Sequence, residues 1–208
     1  MDKKTLIMES LFDIKAVLFR PKAPFLWSSG IKSPIYCDNR KVLSFPLIRD
    51  ELEIELSKIV QKKYENCEVL AGVETAGIAH AALVAEKLNL PMVYVRKKRK
   101  SHGTESLIEG RIKPKQKVVV IEDLISTAGS VINAVQALRD EIADVLGVVS
   151  IFSYGIKLGK DALLKEEITN YSLLDCGVLL DVLIKRGTIK EGEKSKIKNF
   201  IENLTPGV

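Results

Sequence analysis

The sequence predicts an α/β fold: a doubly wound, mainly parallel sheet with helices on both faces. Two observations predict it. From Val69 onward, short apolar runs of strand length alternate with segments of helical period. Residues 118–121 are continuously apolar and β-branched, as in a strand covered on both sides.

The elements follow in order. Ile7, Leu11, Ile14 and Leu18 fall at spacings of four and three, which predicts one helix across all of them. Pro21, Pro24, Gly30 and Pro34 predict an irregular connection over residues 19–35. After Pro46, a second helix buries Ile48, Leu52, Leu56 and Ile59. Residues 69–73 read as a strand, 78–88 as a helix and 92–95 as a strand. The polar stretch 96–117 is long for a connection in a compact domain, and such connections are usually functional or mobile. A strand over 118–122, a helix over 130–140 and a strand over 145–152 come next. A short helix from Lys160, a strand near 171–174, a helix from Val178 and a charged terminal helix over 190–204 complete the series. There is no internal repeat and no interdomain linker.

Composition excludes several classes. At 208 residues, with 46% hydrophobic and 28% charged residues, the chain suits one globular domain and neither disorder nor a membrane protein. Its apolar runs fall far short of the ~20 residues that span a bilayer. The opening MDKKTLIMES lacks the apolar core of a signal peptide, so the expected location is the cytoplasm. Cys37, Cys67 and Cys176 are odd in number and widely spaced, as free thiols in a reducing compartment are. The net charge of +5 is focused in Arg96, Lys97, Lys98, Arg99 and Lys100. A small anion explains that focus at least as well as a nucleic acid does, so neither nucleic acid nor membrane is expected as a partner.

The strongest motif is VVVIEDLISTAGS at 118–130. Glu122 and Asp123 stand at the strand end, where open α/β sheets bind ligands. A loop rich in Ser, Thr and Gly then opens a helix, offering amides, hydroxyls and a favourable dipole to a phosphate. The acids would repel a phosphate, so they suit hydroxyls. A ribose 5′-phosphate meets both needs, with its 2′- and 3′-hydroxyls on Glu122 and Asp123 and its phosphate on residues 126–130. A buried strand with Ser126 and Thr127 merely capping the helix would explain the loop but not the paired acids. No Walker loop and no GxGxxG fingerprint is present.

Residues 118–130 resemble the phosphoribosyl pyrophosphate motif of type I phosphoribosyltransferases. The resemblance implies that family's fold over residues 1–208, with a small N-terminal hood of about residues 1–45 and possible C-terminal contributions. It also implies phosphoribosyl pyrophosphate binding by Glu122, Asp123, Leu124, Ile125, Ser126, Thr127, Ala128, Gly129 and Ser130. The loop GVETAG at 72–77 is a weak signal alone; by resemblance Thr75, Ala76 and Gly77 bind pyrophosphate through backbone amides. The neighbouring His80 reads as a packed or partly exposed histidine.

Two further stretches resemble the orotate phosphoribosyltransferases. Residues 96–103, RKKRKSHG, follow a strand directly and match that family's catalytic loop, R-K-x-x-K-x-H-G. Taken alone, such a run reads as a solvated face. The resemblance assigns Arg96, Lys97, Lys100 and His102 to the departing pyrophosphate, on a mobile loop of about residues 96–113. It also implies a homodimer whose loops close over the neighbouring subunit's site. Residues 29–36, SGIKSPIY, could simply shape a turn, but they match a stretch of the family's hood and assign Lys32 and Tyr36, with Ser126, to orotate. Ser28 occupies the place of a base-contacting lysine in some members, and Tyr154 stands in the region of a base-contacting arginine. The implied activity is transfer of 5-phosphoribose from phosphoribosyl pyrophosphate to N1 of orotate, giving orotidine 5′-monophosphate and pyrophosphate in pyrimidine biosynthesis. Mg²⁺ would be carried by substrate oxygens without a protein metal site. Transfer to another base, or ligand sensing without turnover, are the rival readings.

Overall fold

The computed structural model describes residues 2–27, 29–98 and 106–206. The N-terminal elements are α1 (Lys3–Asp13), β1 (Val17–Phe19), β2 (Phe25–Leu26), β3 (Lys32–Ser33) and β4 (Ile35–Cys37). A 3-10 segment, Asn39–Ser44, leads to α2 (Pro46–Lys63), β5 (Val69–Val73), α3 (Ala76–Leu88), β6 (Met92–Val95) and β7 (Ile108–Glu109). Then come β8 (Lys117–Ile125), α4 (Gly129–Asp140), β9 (Asp144–Ser153), α5 (Lys157–Lys165), β10 (Asn170–Asp175), α6 (Cys176–Lys185) and α7 (Lys194–Glu202).

Six strands form the central sheet in the order β10-β9-β8-β5-β6-β7. Every neighbouring pair is parallel except β6–β7. The expected α/β architecture is therefore present. From β5 the chain passes through α3 to β6 on one side, whereas β8 and β9 build outward on the other. The strand order thus reverses between β5 and β8, and a crevice opens at their carboxyl ends.

Side-chain alternation divides the core into two layers. Val119 and Ile121 of β8 join Leu11, Leu52, Val84, Leu179 and Ile201 from α1, α2, α3, α6 and α7. Val118 and Val120 join Val131, Leu138 and Leu163 from α4 and α5 on the opposite face. All four β8 residues are fully buried, and each such side chain contributes about 2 kcal/mol of burial. Helix α1 rests on α6, where Lys185 Nζ meets Glu9 Oε1 and Arg186 Nη2 meets Asp13 Oδ1, each at 2.7 Å.

Several boundaries differ from the expected ones. Leu18 does not continue the first helix; it pairs with Tyr36 across β1 and β4. Lys15 adopts φ 58°, and the Ala16 amide donates to the Leu11 carbonyl at 2.8 Å, which turns the chain out of α1. A left-handed helix end formed by lysine rather than glycine leaves no mark in the sequence. Residues 19–35 contain the hairpin β2–β3, closed by the Trp27 amide donating to the Ile31 carbonyl at 2.9 Å with Gly30 at φ 82°. Strand β8 passes Glu122 by three residues because Leu124 and Ile125 keep register with Phe152 and Ser153 of β9.

Candidate active site

Two loops meet at the switch point, and close backbone approach shapes both. At the end of β5, a Cβ on Gly72 would lie 2.8 Å from Ile78 Cα, and one on Gly77 would lie 2.6 Å from the Ile121 carbonyl. Only glycine lets this loop press against α3 and β8. The Glu74–Thr75 peptide is cis. Glu74 Oε2 accepts from the Lys97 amide at 2.6 Å, which joins this loop to the start of the basic run.

At the end of β8, Ala128 adopts φ 66° and turns the chain into α4. Neither Ser126 nor Thr127 caps that helix, because α4 has no side-chain cap. The hydroxyls are thus not explained as caps, while the helix's first-turn amides lack intrahelical partners by construction. Glu122 is buried; Oε1 accepts from the Asp123 amide and Oε2 from the Ser130 hydroxyl, both at 3.0 Å. Burial raises its carboxyl pKa well above the ordinary range, and contact with Asp123 adds to the shift.

The N-terminal segment before α2 supplies the third wall. Trp27 stacks on Tyr154 at a centroid distance of 4.1 Å, and Trp27 Nε1 donates to the Ile35 carbonyl at 3.0 Å. The Cys37 amide donates to the Tyr154 hydroxyl at 2.9 Å, and Asn39 Nδ2 donates to the Asp123 carbonyl at 2.7 Å. These contacts tie the N-terminal segment to β8 and to the residue that follows β9.

A cavity of about 560 Å³ lies between the three walls. Of the sequence-predicted residues, Tyr36, Thr75, Ala76, Lys97, Glu122, Asp123, Leu124, Ser126 and Ser130 line it. Gly77 stands behind the first loop, while Thr127, Ala128 and Gly129 continue the second. Ile125 turns into the α4 core. Arg96 does not line the cavity; its Nη1 lies 3.6 Å from Glu109 Oε1 across the β6–β7 pair. Lys32 is exposed on β3 and is not part of the wall. Lys100 and His102 lie outside the described residues, as do Arg99 and Ser28. His80 is wholly buried, with Nδ1 2.6 Å from Glu53 Oε1.

The cavity also has lining residues that sequence reasoning did not select as contacts: Leu26, Trp27, Ser29, Cys37, Asp38, Arg40, Glu74 and Tyr154. The Ser29 hydroxyl is buried without a hydrogen-bond partner among the described residues. The signal for Asp38 and Arg40 was the polar run following SGIKSPIY, which has no periodicity to mark it. A second cavity, about 610 Å³, lies behind the β8 loop among α5, α6 and α7 and shares only Ser126 and Tyr154 with the first. The paired acids face the first cavity, so the chemistry belongs there.

Among the described residues, no group of three or more His, Cys, Asp or Glu could hold a metal, and no helix is long and apolar enough to cross a membrane. All three cysteines are free.

Comparison with known proteins agrees with this geometry. The phosphoribosyl transferase domain model matches residues 43–173, which span both switch-point loops. The chain is 50% identical over 200 residues to an orotate phosphoribosyltransferase of Halalkalibacterium halodurans, covering 96% of this chain and 95% of that one. It is 49% identical to its counterpart from Bacillus subtilis, over 96% and 93% of the two chains. The crystal structure of orotate phosphoribosyltransferase from Aeropyrum pernix superposes with a TM-score of 0.75 at 29% identity, over 88% of this chain and 99% of that one. With the domain matched across the site and the relatives matched nearly end to end, this chain belongs to the phosphoribosyl transferase family, among the orotate phosphoribosyltransferases.

Proposed function

We propose that this chain transfers 5-phosphoribose from phosphoribosyl pyrophosphate to N1 of orotate, giving orotidine 5′-monophosphate and pyrophosphate for pyrimidine biosynthesis. The observation that carries this is the meeting of a carboxyl pair and a phosphate-type helix N-terminus in one cavity at the switch point. Glu122 and Asp123 take the ribose hydroxyls. Residues 126–130 take the 5′-phosphate through amides and hydroxyls. Amides of Thr75, Ala76 and Gly77 take the pyrophosphate.

Displacement at C1′ builds positive charge on the ribose ring and negative charge on the leaving pyrophosphate. Lys97, Lys100, His102 and Arg96 stabilise the leaving group through charge-assisted hydrogen bonds, and the acids balance the ring. His102 bridges pyrophosphate in this scheme rather than transferring a proton. Tyr36 and Ser126 position the base. Loop closure excludes the water that would hydrolyse the activated sugar.

The cavity wall carries Asp38, Glu74, Glu122 and Asp123 against Arg40 and Lys97, an acid excess that fits Mg²⁺ entering with the substrate. When bound, Mg²⁺ would neutralise charge on the pyrophosphate oxygens. The working unit in this proposal is a homodimer in the cytoplasm, with loop residues 96–113 serving the partner's site and residues 1–45 serving as the hood.

The test is loss of orotate absorbance on adding phosphoribosyl pyrophosphate and Mg²⁺, with uracil and hypoxanthine in parallel. Turnover of orotate alone is expected. Turnover of hypoxanthine or uracil in its place would overturn the choice of base, and no turnover of any base would favour a sensor.

A further inference from the structure

We infer that Arg40 reads the carboxylate of the pyrimidine, with Asp38 holding its guanidinium in place. This rests on the reading of the site as an orotate site. Orotate differs from uracil by a carboxylate, and enclosing that charge requires a cation and donors. Two cationic side chains, Arg40 and Lys97, line the cavity among the described residues. Lys97 sits at the pyrophosphate side, where its amide is bound to Glu74. Arg40 lines the cavity with Tyr36 and Trp27, close enough to Asp123 for that carboxylate to favour the guanidinium's charge.

Three contacts prepare Arg40 for the task. Cys37 is fixed to the Tyr154 hydroxyl and Asn39 to the Asp123 carbonyl, so the backbone on its N-terminal side is pinned to the body of the site. Arg40 Nε donates to Asp38 Oδ1 at 2.5 Å. That bond occupies one edge of the guanidinium and leaves the paired Nη groups, which hold no hydrogen bond among the described residues, for a second carboxylate. Two parallel N–H donors match a carboxylate's two oxygens, which lysine cannot imitate. The Ser29 hydroxyl, unpartnered among the described residues and lining the same cavity, offers a further polar contact to the base.

The test compares two nucleotides that differ in the carboxylate alone. Binding of orotidine 5′-monophosphate and of uridine 5′-monophosphate is measured by calorimetry on the full chain, with KM for orotate and for phosphoribosyl pyrophosphate alongside. Arg40→Ala should weaken orotidine 5′-monophosphate by about 10- to 100-fold, the range for a hydrogen-bonded charge, and leave uridine 5′-monophosphate unchanged. KM for orotate should rise in step and KM for phosphoribosyl pyrophosphate should hold. Arg40→Lys should recover part of the loss.

Equal weakening of both nucleotides, or a rise confined to KM for phosphoribosyl pyrophosphate, would place Arg40 on the sugar-phosphate and overturn the inference. So would unchanged binding in Arg40→Ala, or a selective loss in Lys32→Ala that Arg40→Ala lacks. If the unaltered protein fails to distinguish orotate from uracil, the orotate reading itself fails, whatever Arg40 does.

Discussion

Glu122 carries two opposed demands. The folded chain buries it and raises its carboxyl pKa, whereas a ribose hydroxyl donates best to the ionised form. A carboxyl raised in the folded state favours folding at pH below its ordinary value of 4.5, and loses that contribution as pH climbs through the raised value. Glu122→Gln should therefore raise Tm at neutral pH by about 2–4 °C, corresponding to about 1 kcal/mol in a chain of this size. The same change should weaken phosphoribosyl pyrophosphate by about tenfold, the lower range for a bond to a charged group. Calorimetric melting and ligand titration check both; a lower Tm would contradict the cost of the buried charge, and unaltered affinity would contradict the ribose role. Glu122 and Asp123 were legible in the sequence because adjacent acids at the end of an apolar strand have no packing reason to be there. Arg40 was not, since residues 37–40 have no apolar periodicity and their role arises from contacts with Asp123 and Tyr154, over 80 residues away in sequence.

At the scale of elements, the β8 loop owes its shape to α5 as well as to its own residues. A Cβ at Gly159 would lie 2.1 Å from the Ser126 carbonyl, so α5 touches the phosphate loop backbone to backbone. Backbone cannot yield as a flexible side chain does, and Gly159→Ala must push the loop or the helix aside. KM for phosphoribosyl pyrophosphate should rise about tenfold, with a loss of about 1–3 kcal/mol in urea unfolding. An unchanged KM would mean that the loop's position is not critical for the phosphate. Nothing in KLGKD marks this glycine, because the contact is long-range and its φ is ordinary. Strands β5, β6, β8 and β9 were legible from their apolar runs. The end of α1 was not, since Leu18 kept helical spacing by coincidence while Lys15 had already turned the chain.

At the scale of the molecule, the fold brings the residues proposed for sugar, phosphate and base into one cavity, and among the described residues sets only Arg40 and Lys97 as cations on its wall. A pyrophosphate leaving group needs more positive charge than Lys97 and the neighbouring Arg96, shared with Glu109 at 3.6 Å, offer. The proposed source is Lys100 and His102, on the connection whose stems are held by the Arg96 amide donating to the Leu107 carbonyl at 2.9 Å. If that loop serves a two-fold partner, symmetry requires two sites, each built from both chains. Lys100→Ala and Asp123→Asn homodimers would each be defective at both sites. In a mixed dimer, one site would collect both defects and the other none. Random exchange of equal amounts should then restore about a quarter of wild-type activity. Activity that stayed at the mean of the two parents, after exchange had been verified with differently tagged subunits, would mean that each loop serves its own chain.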